Sequence, residues 1–246
     1  MKHLRLALVL GLASSLTVVL LYPYLLVLVP KLATTPIPLA LLVPIQALQA
    51  GLQLFLLAWA GLYLGAPLGL DAPFLRAFVY RRPLPQPEPR RQFGLAALVG
   101  LGAGALLVGL DRFVFMPHQP EAIQAMGAQI ARWKGLLASF YGGIGEEVLT
   151  RLFIMTLVAW VLCKVTRGKR PAVFAAAAVV AALAFAAAHL PTAAQLAPLD
   201  AWVVSRVLVL NGVAGIAFGL LFWKRGLEHA MAAHFCADLV LHVVAS

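Results

Sequence analysis

Residues 135–163 read GLLASFYGGIGEEVLTRLFIMTLVAWVLC, an apolar stretch that is interrupted by Glu146, Glu147 and Arg151. A helix needs about 20 consecutive apolar residues to cross a bilayer, and this stretch is longer than that. Charged side chains inside such a segment are costly to place and mark a functional site by default. The stretch therefore predicts a membrane-spanning helix and a candidate site on the same element.

The composition of the whole chain agrees with a membrane protein. Of 246 residues, 63% are hydrophobic and 11% are charged, and the mean hydropathy is +0.93. Soluble domains have about 45–50% apolar and about 25% charged residues. We predict an all-α, polytopic membrane bundle of roughly seven transmembrane helices, although six to eight are compatible with the pattern. The apolar segments are 5–30, 38–68, 93–110, 135–163, 172–190, 201–223 and 228–245.

The net charge of +10 comes from basic residues that flank these segments. The clusters are Lys2 and Arg5; Arg76, Arg81, Arg82, Arg90 and Arg91; Lys164, Arg167, Lys169 and Arg170; and Lys224 and Arg225. With seven spans, all four clusters fall on one side, which the positive-inside rule makes cytoplasmic. Arg112, Arg132 and Lys134 lie on the other side. We predict a cytoplasmic N-terminus, a lipid bilayer around the bundle and no nucleic-acid partner.

The chain is predicted to form a single membrane domain over residues 1–246. Residues 1–134 hold the first spans and a basic, proline-rich loop, and residues 135–246 hold the catalytic core. The loop, RRPLPQPEPRR at 81–91, is predicted to be extended because its alternating prolines exclude a helix. Cys163 and Cys236 form no metal or redox motif and are predicted to be small buried residues.

The charged residues of the opening stretch divide into two roles. Glu147 and Arg151 are four residues apart and share a helix face, so we expect Arg151 to keep Glu147 ionised and oriented. Glu146 is turned about 100° from Glu147 on a helix of 3.6 residues per turn and lies off that pairing. It is therefore a candidate general base. The alternative is an ion-paired helix contact without chemistry.

Histidines in later segments are the candidate partners of Glu146. His189 follows Phe185 by four residues, among alanines that let helices approach closely. His234 and Asp238 repeat the four-residue spacing in the last segment, where they could orient each other and stabilise an oxyanion if Asp238 is protonated. A lone histidine at the end of a span is otherwise an interfacial hydrogen-bonding residue. His229 and His242 are weaker candidates for catalysis.

These motifs resemble the CAAX protease and bacteriocin-processing (CPBP) family of intramembrane endopeptidases. The similar patterns are Glu-Glu-x-x-x-Arg at 146–151, Phe-x-x-x-His at 185–189 and His-x-x-x-Asp at 234–238. The flanking Tyr-Gly-Gly at 141–143 and Gly-Leu-Leu-Phe at 219–222 are also similar. The resemblance covers about residues 135–246, and it rests on three motifs in the same order on membrane segments.

The resemblance implies hydrolysis of a peptide bond within the membrane. The residues matching Glu146 and His189 activate a water in this family, and those matching His234 and Asp238 stabilise the oxyanion. The prenyl-protein endopeptidases of the family have Asn at the last position. Asp238 donates a hydrogen bond only when it is protonated, so the departure favours a role for Asp238 in orienting His234.

The family has also been described as metalloproteases, and zinc is chemically compatible with Glu146, His189 and His234 as ligands. The chain has no His-Glu-x-x-His motif, and a zinc site of this kind would leave Glu147, already paired with Arg151, as the remaining base. We therefore expect no metal and no other cofactor.

The candidate residues are predicted to lie at different depths in the membrane, although residues of one site should lie at a similar depth. At about 1.5 Å per helical residue, Glu146 and His189 lie about 27 Å from the basic ends of their segments, whereas His234 lies about 10–15 Å from Arg225. A tilted helix, a break after His189 at Pro191 or a re-entrant stretch would bring them together.

The sequence thus predicts an intramembrane endopeptidase that acts on a membrane-delivered peptide, or on a protein with a membrane-associated tail. The alternatives are a peptide-binding or immunity membrane protein that does not cut, and a proton-coupled transporter, which would also use intramembrane Glu, His and Asp. The Ala-, Leu- and Arg-rich composition and short loops favour a bacterial protein of the inner (cell) membrane.

Overall fold

The computed structural model describes residues 3–85 and 89–245, and every regular element in those residues is helical. A helix satisfies its backbone hydrogen bonds within one segment, which is what a chain in lipid requires. The α-helices are α1 (Leu4–Leu28), α2 (Leu39–Gly65), α3 (Pro73–Tyr80), α4 (Pro89–Leu110), α5 (Glu121–Gln129), α6 (Arg132–Phe140), α7 (Thr156–Val165), α8 (Pro171–Ala188), α9 (Leu190–Ala193), α10 (Ala201–Arg225) and α11 (Leu227–Leu239).

Within residues 3–85 and 89–245, seven helical stretches are long and apolar enough to cross a membrane, which confirms the predicted bundle. They are Leu4–Leu28, Leu39–Leu68, Arg91–His118, Arg132–Val165, Pro171–Ala193, Ala201–Arg225 and Leu227–Val244. The third stretch continues well past residue 110, because α4 runs on through a π-helical turn, Asp111–Phe115, and a 3-10 turn, Met116–His118. The chain is an integral membrane protein.

The proline-rich loop is shorter than predicted. Pro89 and the two residues after it form the first turn of α4, so the expectation that 81–91 excludes a helix is wrong at its C-terminal end. Proline is accepted there because the first N–H groups of a helix have no intrahelical partner. Residues 86–88 of the loop lie outside the described part of the chain.

The fourth span is the centre of the bundle. It consists of α6, two π-helical segments, Tyr141–Glu146 and Val148–Met155, and α7, and it contacts α1, α2, α8 and α11. Around it α1 packs along α2, α8 along α10 and α4 along α11. Outward-facing leucines such as Leu12, Leu48 and Leu98 are exposed, as expected of side chains that face lipid.

The first turn of helix α11 is covered by other parts of the protein. Leu227, Glu228 and His229 are at most 7% exposed, and α3 covers them. The backbone N–H of Leu75 donates to Glu228 Oε1 at 2.7 Å, and the His229 ring stacks on Phe93. The depths inferred from the sequence set His234 apart from Glu146 and His189, but the side chains meet, since His234 Nε2 lies 3.8 Å from Glu146 Oε2.

Candidate active site

The two adjacent glutamates of the fourth span have opposite surroundings. Glu146 ends the first π-helical segment, and its side chain is 21% exposed to an internal cavity. Glu147 is completely buried on the other side of the same helix. A π-helical turn is wider than an α-helical one and is frequent at functional sites. The local backbone thus presents one carboxylate to the cavity and the other to the core.

The buried glutamate is held by the arginine that the spacing predicted. Glu147 Oε1 lies 3.2 Å from Nη1 of Arg151, whose side chain is 1% exposed. Nη1 of Arg151 also donates to the Thr150 hydroxyl, and Nη2 donates to the Gly215 carbonyl at 3.2 Å. Gly215 also permits the close approach of α8 to α10, because a Cβ there would meet Ala182 Cβ at 2.8 Å. The guanidinium therefore fixes Glu147 against α10.

Glu147 in turn orients His234. Nδ1 of His234 lies 2.8 Å from Glu147 Oε1, and because a carboxylate paired with arginine only accepts, the Nδ1–H donates. The ring also stacks on Phe218, with centroids 4.8 Å apart. Its other nitrogen, Nε2, lies 3.8 Å from Oε2 of Glu146. The contact with Glu147 was not predicted, because the helical spacing assigned Glu147 to Arg151 alone.

His189 approaches Glu146 from the opposite side. It follows the last residue of α8, and its Nδ1–H donates to the Phe185 carbonyl at 2.8 Å. The neutral ring then presents the lone pair of Nε2, which lies 4.0 Å from Glu146 Oε1. Two acceptors face each other across this gap, and a water molecule with its two O–H donors can bridge them.

Asp238 lies beside the histidines but does not orient them as expected. Its Oδ1 is 3.7 Å from His234 Nε2 and 4.0 Å from His242 Nε2, and both distances exceed that of a hydrogen bond. Glu147 orients His234 instead, so the favoured role for Asp238 is not supported. Asp238 Oδ2 packs directly against the backbone of Gly142, where a Cβ would collide with it.

One cavity of about 600 Å³ is lined by Glu146, His189, His234 and Asp238. Its walls also include residues of α1 and α4, such as Tyr24 and Leu107, so the N-terminal half of the chain contributes to the site. His242, a weak candidate from sequence, lies in this wall with its ring 5.6 Å from that of Tyr24. His229 lies outside the cavity, between Phe74 and Phe93.

An ion pair that was not predicted from the sequence also lines the cavity. Arg206 of α10 donates to both carboxylate oxygens of Asp111, at 2.7 and 2.8 Å. The sequence did contain an indication of this site, because Arg206 is a charged residue within the apolar segment 201–223. The two cysteines were also misjudged: Cys163 and Cys236 are half-buried, since each lies on a helix face that is only partly covered.

The residues named as possible zinc ligands were tested against the geometry of a zinc site. Ligand atoms about 2.0–2.2 Å from one ion lie roughly 3.0–3.6 Å from each other. Here the two histidine nitrogens approach different oxygens of Glu146, at 3.8 and 4.0 Å. Within residues 3–85 and 89–245, no three His, Cys, Asp or Glu side chains are grouped as metal ligands. Both separations are longer than those expected between two ligands of one zinc ion.

Fold and site together define a polytopic membrane protein with a carboxylate and histidine centre inside the bundle. Residues 128–240 match the family model described as type II CAAX prenyl endopeptidase Rce1-like. This match confirms the resemblance to the CAAX protease family over that part of the chain. Comparison with curated proteins and with solved structures gave no match. The family is one of membrane proteases, and this class of hydrolase is what the chain's similarity indicates.

Proposed function

We propose that the protein is an intramembrane endopeptidase in which Glu146 and His189 activate a water molecule. The observation that carries the proposal is the placement of Glu146: each of its oxygens faces a histidine nitrogen within one cavity, at 4.0 Å for His189 and 3.8 Å for His234. A base in this position can take a proton from a water that it shares with His189.

The proposed reaction begins with that water. Its oxygen attacks the carbonyl carbon of the scissile peptide bond, and Glu146 takes the proton that is released. The tetrahedral intermediate collapses when its C–N bond breaks, and the leaving nitrogen takes the proton back from Glu146. His189 holds the water through its Nε2 lone pair, because its Nδ1–H is committed to Phe185.

His234 is the proposed donor to the oxyanion. Its Nδ1–H is bonded to Glu147, so donation to the substrate requires a second proton on Nε2. The ring is then a cation flanked by the carboxylates of Glu146 and Glu147. Arg151 holds Glu147 in place and thus fixes the angle at which His234 meets the developing charge. We propose that this chemistry uses no metal or other cofactor.

The proposed substrates are peptides or proteins with a membrane-associated tail. The protein is proposed to reside in a bacterial cell membrane, with its N-terminus in the cytoplasm, because the basic clusters flank the same ends of the spans. The surroundings of Arg151 give no support to the transporter alternative, because the neighbouring Leu152, Met155 and Phe218 are fully buried apolar side chains.

New peptide termini in the membrane fraction test the proposal even while the substrate is unidentified. Mass spectrometry should find termini that appear when the wild type is expressed and disappear with Glu146→Gln. The matched control is Glu121→Gln, an exposed glutamate on α5, which should leave those termini in place. Termini that persist with Glu146→Gln would contradict the proposal. A wild type that captures peptides and yields no termini would support the non-cutting alternative.

A further inference from the structure

The basic clusters mark one face of the bundle. Arg5 lies in the first turn of the first span, Arg81 and Arg82 follow the second, Lys169 follows the fourth and Lys224 lies in the last turn of the sixth. We call this end of the helices the basic face. Since each span reverses direction, the odd-numbered spans begin at the basic face and the even-numbered spans end there. The positive-inside rule assigns this face to the cytoplasm.

The cavity lies at the other end of the helices. Spans that leave the basic face contribute residues from their last turns, such as Leu28, Asp111, Thr192 and His242. The sixth span runs toward the basic face, and it contributes residues from its first half, such as Arg206. Residues nearer the middle of their spans, such as His234 and Phe218, form the inner end of the cavity, so the site extends from the middle of the bundle into the half away from the basic clusters.

The cavity is closed toward the basic face. Beneath Glu146 lie Leu152, Met155, Phe218 and Phe222, each at most 1% exposed. Interiors packed to this degree leave no room for a peptide chain to pass. The polar rim of the cavity, by contrast, carries the ion pair of Asp111 and Arg206, whose side chains are 19% and 25% exposed.

We propose that the cavity takes its ligand from the face opposite the basic clusters, which is the non-cytoplasmic side. The identity of the ligand as a polypeptide substrate rests on the proposed function. This direction of entry narrows the substrate class to segments that have already crossed the bilayer or that end at its outer leaflet. A cytoplasmic tail would have to pass the packed core to reach Glu146 from the basic face, so such tails are not the expected substrates.

Accessibility of single cysteines tests the inference directly. In a Cys163→Ser and Cys236→Ser background, one cysteine is introduced at the cavity rim by Thr192→Cys, with Leu28→Cys as a second rim variant. The controls are Ala33→Cys, in the exposed turn Pro30–Thr34, and Lys169→Cys, on the basic face. Intact cells expressing the full chain are treated with a membrane-impermeant charged maleimide and compared with permeabilised cells.

Both rim variants and Ala33→Cys should react in intact cells, and Lys169→Cys should react at least 10-fold more after permeabilisation. The inference is overturned if the rim variants react only after permeabilisation, whether alone or together with Ala33→Cys. It is equally overturned if Lys169→Cys reacts in intact cells, since the basic face would then be outside. Labelling needs no turnover, so these outcomes are independent of whether the protein is a protease.

Discussion

The two halves of the bundle differ in how their interiors are filled. The half beneath the basic clusters is packed, with Leu152, Met155 and Phe222 almost fully buried, whereas the opposite half holds a cavity of about 600 Å³. The packed half and the cavity meet at Glu146 and Glu147, which are adjacent in the sequence. Glu147 lies on the packed side with Arg151, and Glu146 faces the cavity with the histidines.

This difference shows how one helix can provide both a support and a reactive group. A buried carboxylate with a guanidinium counter-ion is rigid, and here Glu147 also fixes His234 through Nδ1. A reactive base needs access to water and substrate, which Glu146 has. Functional groups are positioned best when a packed shell locks the side chains that support them. Substitutions of Glu147 or Arg151 should therefore lower stability, whereas substitutions of Glu146 or His189 should lower turnover and leave the fold intact.

The largest expected effect is on stability, in Arg151→Ala. The substitution leaves Glu147 buried without its counter-ion, which costs about 3–5 kcal/mol. The melting temperature in detergent should fall strongly, and activity should fall with it. Lys169→Ala, which removes an exposed cation, is the control and should melt like the wild type. An unchanged melt for Arg151→Ala would show that the packed half does not depend on the pair.

His189→Ala tests the cavity side and should spare the fold. The imidazole is 35% exposed, so its loss should change the melting temperature little. Turnover of a substrate identified from its new termini should fall roughly 10²-fold, a typical effect of removing one group of an acid–base pair. A matched control is His118→Ala, whose ring stacks on Trp202 outside the cavity. Equal losses in the two variants would argue against a specific role for His189.

Asp238→Asn should have a smaller effect. The amide keeps the shape that fits against Gly142, and Asp238 makes no hydrogen bond to His234 in the structure. We expect turnover to change less than about 10-fold, since the orientation of His234 depends on Glu147. A loss as large as that of His189→Ala would assign Asp238 to the reaction itself.

The smallest expected effect is that of a chelator. Because Glu146 and His189 are proposed to activate the water without a metal, protein stripped with a strong chelator should retain full turnover. Elemental analysis of the purified protein should find substoichiometric zinc. Activity that is lost on chelation and restored by one zinc per chain would replace the proposed base with a metal-bound water.

The length of apolar segments and the spacing of residues along a helix predicted the spans and the contacts within one helix. The lengths of the apolar segments gave the seven spans, and the spacing of Glu147 and Arg151 gave their ion pair, because contacts four residues apart follow from helix geometry. The contact of Glu147 with His234 joins residues 87 apart, and it was missed because Asp238 met the same local rule for His234.

Tertiary placement accounts for the other errors. The depth of His234 was inferred from its distance along the helix to Arg225, and that distance did not show that its side chain meets Glu146. Arg206 was visible as a charge in an apolar segment, but its partner Asp111 lies on another helix, and spacing alone cannot pair them. The sequence identified the reactive residue types, and packing determined which of them meet.

The most direct test of the division between the two halves compares Glu146→Gln with Glu147→Gln in one assay of turnover and thermal unfolding. We predict that Glu146→Gln lowers turnover roughly 10²–10⁴-fold and leaves the melting temperature unchanged, because only the base is lost. Glu147→Gln should lower the melting temperature, because Arg151 stays buried without a counter-ion. If Glu146→Gln retains turnover, or if it melts lower while Glu147→Gln does not, the assignment of the base to Glu146 is contradicted.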